Sequence, residues 1–296
     1  MLRGFICPDN QQVNKEDCWQ KCRIGQRCLT LPTLVAIGTD REWSGKPSTT
    51  QCINGTRLEF LKLTKDYYID PYDRAFALLG TRHHEMLEAV SEKLNVLSEE
   101  KLGDEVTGIL DLIEPDGDSY ILSDYKTAGS YKVASAIGMI KVGKIPDPSG
   151  ECYRSTGKWG KAGSPKMIDK FGINPDMANM QDWVLQLNNY RLLIESAGFP
   201  VSRIQIQATV RDGGTIVAKS RGITENIYMI PVKRLDDADV KDYFIDKSVA
   251  LITAMETQQM PEPCSEQERW NGRRCKQYCE VWEHCELGQD AHMATM

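Results

Sequence analysis

Residues 108–126, GILDLIEPDGDSYILSDYK, contain three side chains whose types and spacing suit a bound cation: Asp111, Asp124 and Lys126. Two apolar runs, 108–113 and 119–125, flank the turn residues Pro115-Asp116-Gly117-Asp118. That pattern predicts a β-hairpin, because Pro, Asp and Gly punctuate the chain while Ile, Leu and Tyr populate strands. Residues two apart in a strand share a face, so Asp124 and Lys126 are expected to aim at one place, which Asp111 can approach across the hairpin. Charges gathered at a buried strand lose hydration unless a partner or cation replaces it, and a divalent metal is the obvious replacement.

A second chemistry is written in the cysteines. Cys7, Cys18, Cys22 and Cys28 follow the spacing C-x(10)-C-x(3)-C-x(5)-C, and Cys264, Cys275, Cys279 and Cys285 repeat it to the residue. Two copies of one four-thiol pattern, with no secretory leader, point to soft-metal sites rather than disulfides. Such thiolates can close a tetrahedral Zn²⁺ site or hold a [4Fe-4S] cluster, and spacing alone does not choose. The repeat favours two self-contained quartets and leaves Cys52 and Cys152 as ordinary buried thiols.

The elements that must position these groups can be sketched from periodicity. Residues 29–37 form a short helix in a connector that runs to residue 48, and 49–66 form another helix. After the Asp70-Pro71 break a long helix over 73–97 carries Ala75, Leu78, Leu79, Met86, Leu87, Val90 and Leu94 at helical spacing, together with His83 and His84. Of the two histidines, only one can easily share the face of Leu87. Residues 176–197 form a helix ended by Gly198-Phe199-Pro200, with Gln186 and Tyr190 one turn apart on one face. Residues 203–211 and 227–232 read as strands and 238–257 as a closing amphipathic helix. The order predicts an α/β fold, a central mixed sheet flanked by helices with cysteine-rich metal modules at both ends. The expected divisions are 1–46 for the N-terminal module and connector, 47–260 for the core, and 261–296 for the C-terminal module and tail.

In order along the chain, Gly80-Thr81-x-x-His84-x-x-Leu87-Glu88, Gly108-x-x-Asp111, Asp124-x-Lys126 and Gln186-x-x-x-Tyr190 resemble the RecB-like branch of the PD-(D/E)xK nucleases, over roughly residues 47–285. That branch includes the nuclease domains of RecB and AddB and the CRISPR adaptation nucleases. The resemblance implies a restriction-endonuclease-like core and hydrolysis of DNA phosphodiester bonds, as an exonuclease acting on ends in replication, recombination or repair. A structure-specific or restriction-like endonuclease and a non-catalytic DNA-binding scaffold are the rival readings. It also implies that His84, Asp111, Asp124 and the carbonyl of Tyr125 hold Mg²⁺ or Mn²⁺. The metal would polarise the scissile phosphate and lower the pKa of a bound water, while Lys126 orients that water or neutralises transition-state charge. Gln186 and Tyr190 would help place DNA or order the site; a satisfied amide and a packed aromatic is the lesser alternative for these residue types. His83 is left as an outer contact to the site or to DNA, and Glu100 or Glu105 as a further acid. Iron–sulfur members of the branch use one early cysteine and a late trio, which would select Cys52 with Cys275, Cys279 and Cys285 and leave Cys264 surplus, so both ligand sets stay open. DNA is the implied partner. Relatives work in assemblies with a helicase or other recombination proteins, yet no amphipathic tail or heptad marks a docking surface here.

Length and composition suit this frame. The 296 residues, 41% hydrophobic and 26% charged, allow one large core or two modest ones, as in an ordinary soluble protein. No apolar run of membrane-spanning length appears, which predicts no membrane partner and a cytoplasmic location. A formal charge of −6 gives no global pull on nucleic acid, but phosphate contact depends on local surface. Residues 141–170 carry Lys and Arg against few acids and read either as a DNA-facing insertion or as a solvated loop.

Overall fold

The structure, a computed structural model, describes residues 1–40, 42–94, 100–102 and 106–294, with the backbone alone at 92–93 and 100–102. In chain order the elements begin with β1 (Leu2–Ile6), β2 (Gln12–Asn14), α1 (Lys15–Gln20), α2 (Leu31–Gly38), α3 (Thr49–Ile53), α4 (Thr56–Thr64), β3 (Tyr67–Ile69), α5 (Pro71–Arg74) and α6 (Ala77–Leu94). Next come β4 (Glu100–Leu102), β5 (Gly108–Leu110), β6 (Leu112–Asp116), β7 (Ser119–Ala128), α7 (Ser130–Ala136), β8 (Met139–Pro146) and β9 (Met167–Ile173). The chain closes with α8 (Gln181–Ser196), β10 (Val201–Val210), α9 (Ile216–Ser220), β11 (Ile227–Pro231), α10 (Asp237–Thr257), α11 (Arg273–Gln277) and α12 (Glu286–Met293).

The class is mixed α/β, as expected, but among the described residues the strands fall into four sheets rather than one central sheet. By its contacts the chain forms two compact units, one of residues 1–122, 185–204 and 233–296, the other of 123–184 and 205–232. Both cysteine-rich ends therefore belong to the first unit.

In the first unit β1 pairs antiparallel with β2 and parallel with β3, and β4 pairs antiparallel with β5. Its main apolar cluster joins distant parts of the chain, with Phe5 from β1, Leu34 from α2, Leu58 and Leu61 from α4, Leu251 from α10 and Val281 near the C-terminal end. A smaller cluster holds Cys52, Val106, Leu185, Val240 and Phe244. The helix expected over 49–66 is broken into α3 and α4 at Asn54-Gly55. α3 starts on a capping box in which the Ser48 hydroxyl accepts from the Gln51 amide and the Gln51 side chain accepts from Ser48 N–H. The expected helix over 73–97 is likewise split, into α5 and α6.

The predicted hairpin forms as β6 and β7, which are sheet neighbours, turning at Gly117 with φ +65°, a value glycine adopts without steric cost. β7 and β10 start in the first unit and continue into the second, where β10 pairs antiparallel with β11 from Gln205↔Pro231 to Thr209↔Ile227. The second unit also contains the antiparallel pair β8 and β9, in the stretch read from sequence as an insertion or loop. Among the described residues no helix is long and apolar enough to cross a membrane.

Candidate active site and cysteine clusters

Asp111 occupies the single-residue break between β5 and β6, where the apolar run changes pairing partner. Its neighbours Leu110 and Leu112 are buried and Asp111 itself is 7% exposed. His84, on α6, places Nδ1 3.4 Å from Asp111 Oδ1, so the helix histidine and the strand carboxylate meet within the first unit. His83 presents its ring edge to His84, with centroids 6.4 Å apart. Burial, then the neighbouring His84, pushes the His83 pKa below its ordinary value.

Asp124 and Lys126 lie in the part of β7 that belongs to the second unit. Strand alternation puts them on one face, as expected, and Lys126 Nζ stands 2.6 Å from Asp124 Oδ2. Asp124 is 1% exposed, so its carboxylate has exchanged bulk water for a lysine counter-charge. Tyr125, between them in sequence, is also buried.

On α8 the Gln186 amide donates to Tyr190 Oη at 3.1 Å, the one-turn pairing that the spacing predicted. A Cβ at Gly108 would run into the Tyr190 ring, so β5 approaches α8 through a missing side chain. Beside this contact the Asn189 amide donates to Thr49 Oγ1 at 2.9 Å, and Thr49 donates to the Thr107 carbonyl at 3.1 Å. Glu105 and the Glu100 side chain lie outside the described residues.

The ten cysteines are free thiols. Cys7, Cys18, Cys22 and Cys28 line one cavity of about 20 Å³, together with Pro8, Val13, Ile24 and Leu34. Cys264, Cys275, Cys279 and Cys285 line another of about 30 Å³, against Leu58, Leu61, Val281 and Leu287. Among the described residues no three of His, Cys, Asp and Glu stand in an arrangement that could hold a metal ion. The sulfurs thus surround hollows without closing a ligand shell, and the expectation of formed metal modules is not supported by the ligand geometry. Burial pushes up the thiols of Cys7, Cys18, Cys264 and Cys275, and that of Cys279 to about 11.

Cys264 stands with the late trio, whereas Cys52 sits in the smaller apolar cluster with its thiol pushed up to about 12 by burial. Cys152, expected to be buried, is exposed in the segment between β8 and β9.

Two residues at the C-terminal cavity gave no sequence signal. Arg57, 8% exposed on α4, donates to the Pro261 carbonyl at 2.7 Å and to Glu286 at 2.8 Å, with the Cys285 sulfur 3.9 Å from the same guanidinium nitrogen. Gly55 lies so close to Cys264 that a Cβ there would run into its sulfur. Both lie more than 200 positions before the cysteines they serve, a distance at which no local pattern operates.

No protein-family profile and no curated protein matches the chain. A solved structure described as "Crystal structure of SSO0001" aligns with 86% of this chain and 92% of its own, at 15% identity and a TM-score of 0.43, too distant a likeness to carry a conclusion.

Proposed function

We propose that the protein is a metal-dependent DNA nuclease that hydrolyses phosphodiester bonds with Mg²⁺ or Mn²⁺ and trims DNA ends, on a core of the restriction-endonuclease type. The observation that carries this reading is the Asp124-x-Lys126 face of β7, a nearly inaccessible carboxylate held by a lysine two residues on. The His84–Asp111 pair supports it independently, as a nitrogen and an oxygen donor brought together by separate elements. What joins the two pairs in this reading is their order in the sequence. Asp111, Asp124, His84 and the Tyr125 carbonyl are the proposed ligands. When bound, the cation supplies Lewis acidity and a water of lowered pKa. Lys126 supplies a fixed positive charge for the phosphate in the transition state, and the hydrogen-bonded Gln186 and Tyr190 are proposed to orient DNA. Helicases or other recombination proteins are the proposed assembly partners.

The cysteine quartets are proposed as Zn²⁺ or [4Fe-4S] sites. Four sulfurs line each hollow beside apolar side chains, with Arg23 and Arg27 at the N-terminal one and Arg57, Glu268, Arg269 and Arg274 at the C-terminal one; four thiolates offer a soft metal its donors, and the arginines offset their charge.

The test is cleavage of labelled DNA with and without Mg²⁺, comparing linear molecules with covalently closed circles. Loss of linear DNA alone supports end trimming, loss of both indicates an endonuclease, and binding without cleavage indicates a scaffold. Asp124→Asn and Asp111→Asn are expected to abolish cleavage. Lys126→Met should lower turnover by roughly 10²- to 10³-fold, the scale for one lost transition-state contact. Parental turnover in all three variants would overturn the assignment.

A further inference from the structure

Within the second unit, β8 and β9 form a two-stranded arm paired from Met139↔Ile173 to Pro146↔Met167, with a bulge at Lys141/Gly143. The segment that joins them is folded rather than loose. Tyr153 N–H donates to the Ser164 carbonyl, Gly163 N–H to the Tyr153 carbonyl, and Lys166 N–H to the Glu151 carbonyl, at 2.7–2.9 Å. A Cβ at Gly160 would run into the Tyr153 ring, so that ring lies against the backbone of the tip.

Beside this framework Trp159 is 75% exposed, an unusual position for so large an apolar surface. Lys158 Nζ lies 5.5 Å from the Trp159 ring centroid, and a cavity of about 540 Å³ is lined by Tyr153, Arg154, Trp159 and Lys166 among others. The charge is as one-sided as the shape. Residues 141–170 hold seven Lys and Arg against three Asp and Glu, in a chain of net charge −6. Lys141 pairs with Asp169 and Lys166 with Glu151, while Asp147 accepts from the Ser149 N–H. Lys144, Arg154, Lys158, Lys161 and Lys170, all exposed, make up the excess.

We infer that this arm binds single-stranded DNA, with a base stacked on Trp159 and the flanking phosphates met by Arg154, Lys158 and Lys161. A single strand fits because a ring can stack only on a base whose face is uncovered, and every base has such a face. Phosphates supply the anionic complement that an acidic protein otherwise repels. Identifying the strand as DNA rests on the nuclease reading; the stacking and the charge do not.

The test is fluorescence anisotropy of a labelled oligonucleotide of about 20 nucleotides, longer than the roughly 4–16 that one such surface covers, titrated with the full chain in Ca²⁺ without Mg²⁺ or Mn²⁺, so that cleavage is suppressed and the cysteine quartets meet no chelator. Trp159→Ala should weaken binding about ten-fold and Trp159→Phe much less, since losing one stacked base has effects of that order. The double variant Lys158→Gln/Lys161→Gln should flatten the slope of log affinity against log salt by about 1.4, at roughly 0.7 per phosphate contact. Unchanged circular dichroism shows that the arm is still folded. Parental affinity and slope in both variants would overturn the inference, as would tighter binding of a blunt duplex; tighter binding of an RNA of equal length would overturn its identification with DNA. If the parent binds through Trp159 yet never cleaves in Mg²⁺, the nuclease reading fails and the arm stands. If it cleaves but binding ignores these substitutions, the arm fails and the nuclease stands.

Discussion

The two cysteine quartets share a spacing and differ in what builds their walls. Around the N-terminal hollow every lining residue falls between Cys7 and Leu34, so that wall is made from one short stretch. Around the C-terminal hollow the late cysteines meet Arg57, Leu58 and Leu61 of α4, which belongs to the main apolar cluster of the first unit. One spacing therefore serves two mechanical situations. The first hollow is walled by one stretch, whose Cys18 and Leu34 join the main apolar cluster directly, and the second brings the end of the chain against α4.

On the proposed metal reading, substituting one thiol of each quartet should separate the two most sharply. Cys18→Ser and Cys279→Ser are each expected to remove one site's complement of metal. Both should also lower the thermal midpoint of the whole protein, since a structural four-thiolate site contributes on the order of 10 kcal/mol of apparent folding free energy, and Cys279→Ser should lower it further because its hollow joins segments more than 200 positions apart. Metal analysis beside calorimetry checks this, with Cys52→Ser as the control expected to keep both sites loaded. Equal midpoints for Cys18→Ser and Cys279→Ser would erase the distinction.

A smaller effect is expected from Arg57→Met, which keeps the stem but strands the Pro261 carbonyl and the Cys285 sulfur. The Glu286 partner is 80% exposed and adds little, so the cost should be about 1–2 kcal/mol, most of it from the lost buried hydrogen bond. Chemical denaturation measures it, and a change under about 0.3 kcal/mol, a quarter of a typical net hydrogen bond, would mean that α4 does not hold the C-terminal site. Gly55→Ala should come next, at roughly 1 kcal/mol, by pushing Cys264 off its place, and should weaken metal retention at that site alone under chelator challenge. Smallest of all should be Arg23→Ala. Its ion pair with Asp9 beside the N-terminal hollow is open to solvent, so no change in thermal midpoint is expected.

Sequence periodicity made the local elements legible: the β6–β7 hairpin, the face shared by Asp124 and Lys126, and the turn of α8 that joins Gln186 to Tyr190 all follow from strand and helix repeats. It said little about partners distant in sequence. β1 and β3 are too short to announce themselves, and their parallel pairing links residues more than sixty positions apart. The arm of β8 and β9 was hidden by its lysines and glycines, which read as loop although seven register pairs form there. Periodicity also left burial open, because Leu79, Met86, Val90 and Leu94 recur at helical spacing on α6 yet are 46–67% exposed. A repeat specifies that residues share a helix face; what covers that face is decided by elements elsewhere in the chain.

The reach from α4 to the C-terminal cavity has a consequence for synthesis. Arg57 is translated 204 positions before Pro261, whose carbonyl it binds. At about 5–20 residues per second that is a delay of roughly 10 to 40 s, during which Leu58 and Leu61 lack part of their final cover. The N-terminal cysteines all leave the ribosome within the first stretch of the chain and need nothing later to line their hollow. On a nascent chain the two hollows are thus ordered in time, the first able to close early and the second only near the end of translation.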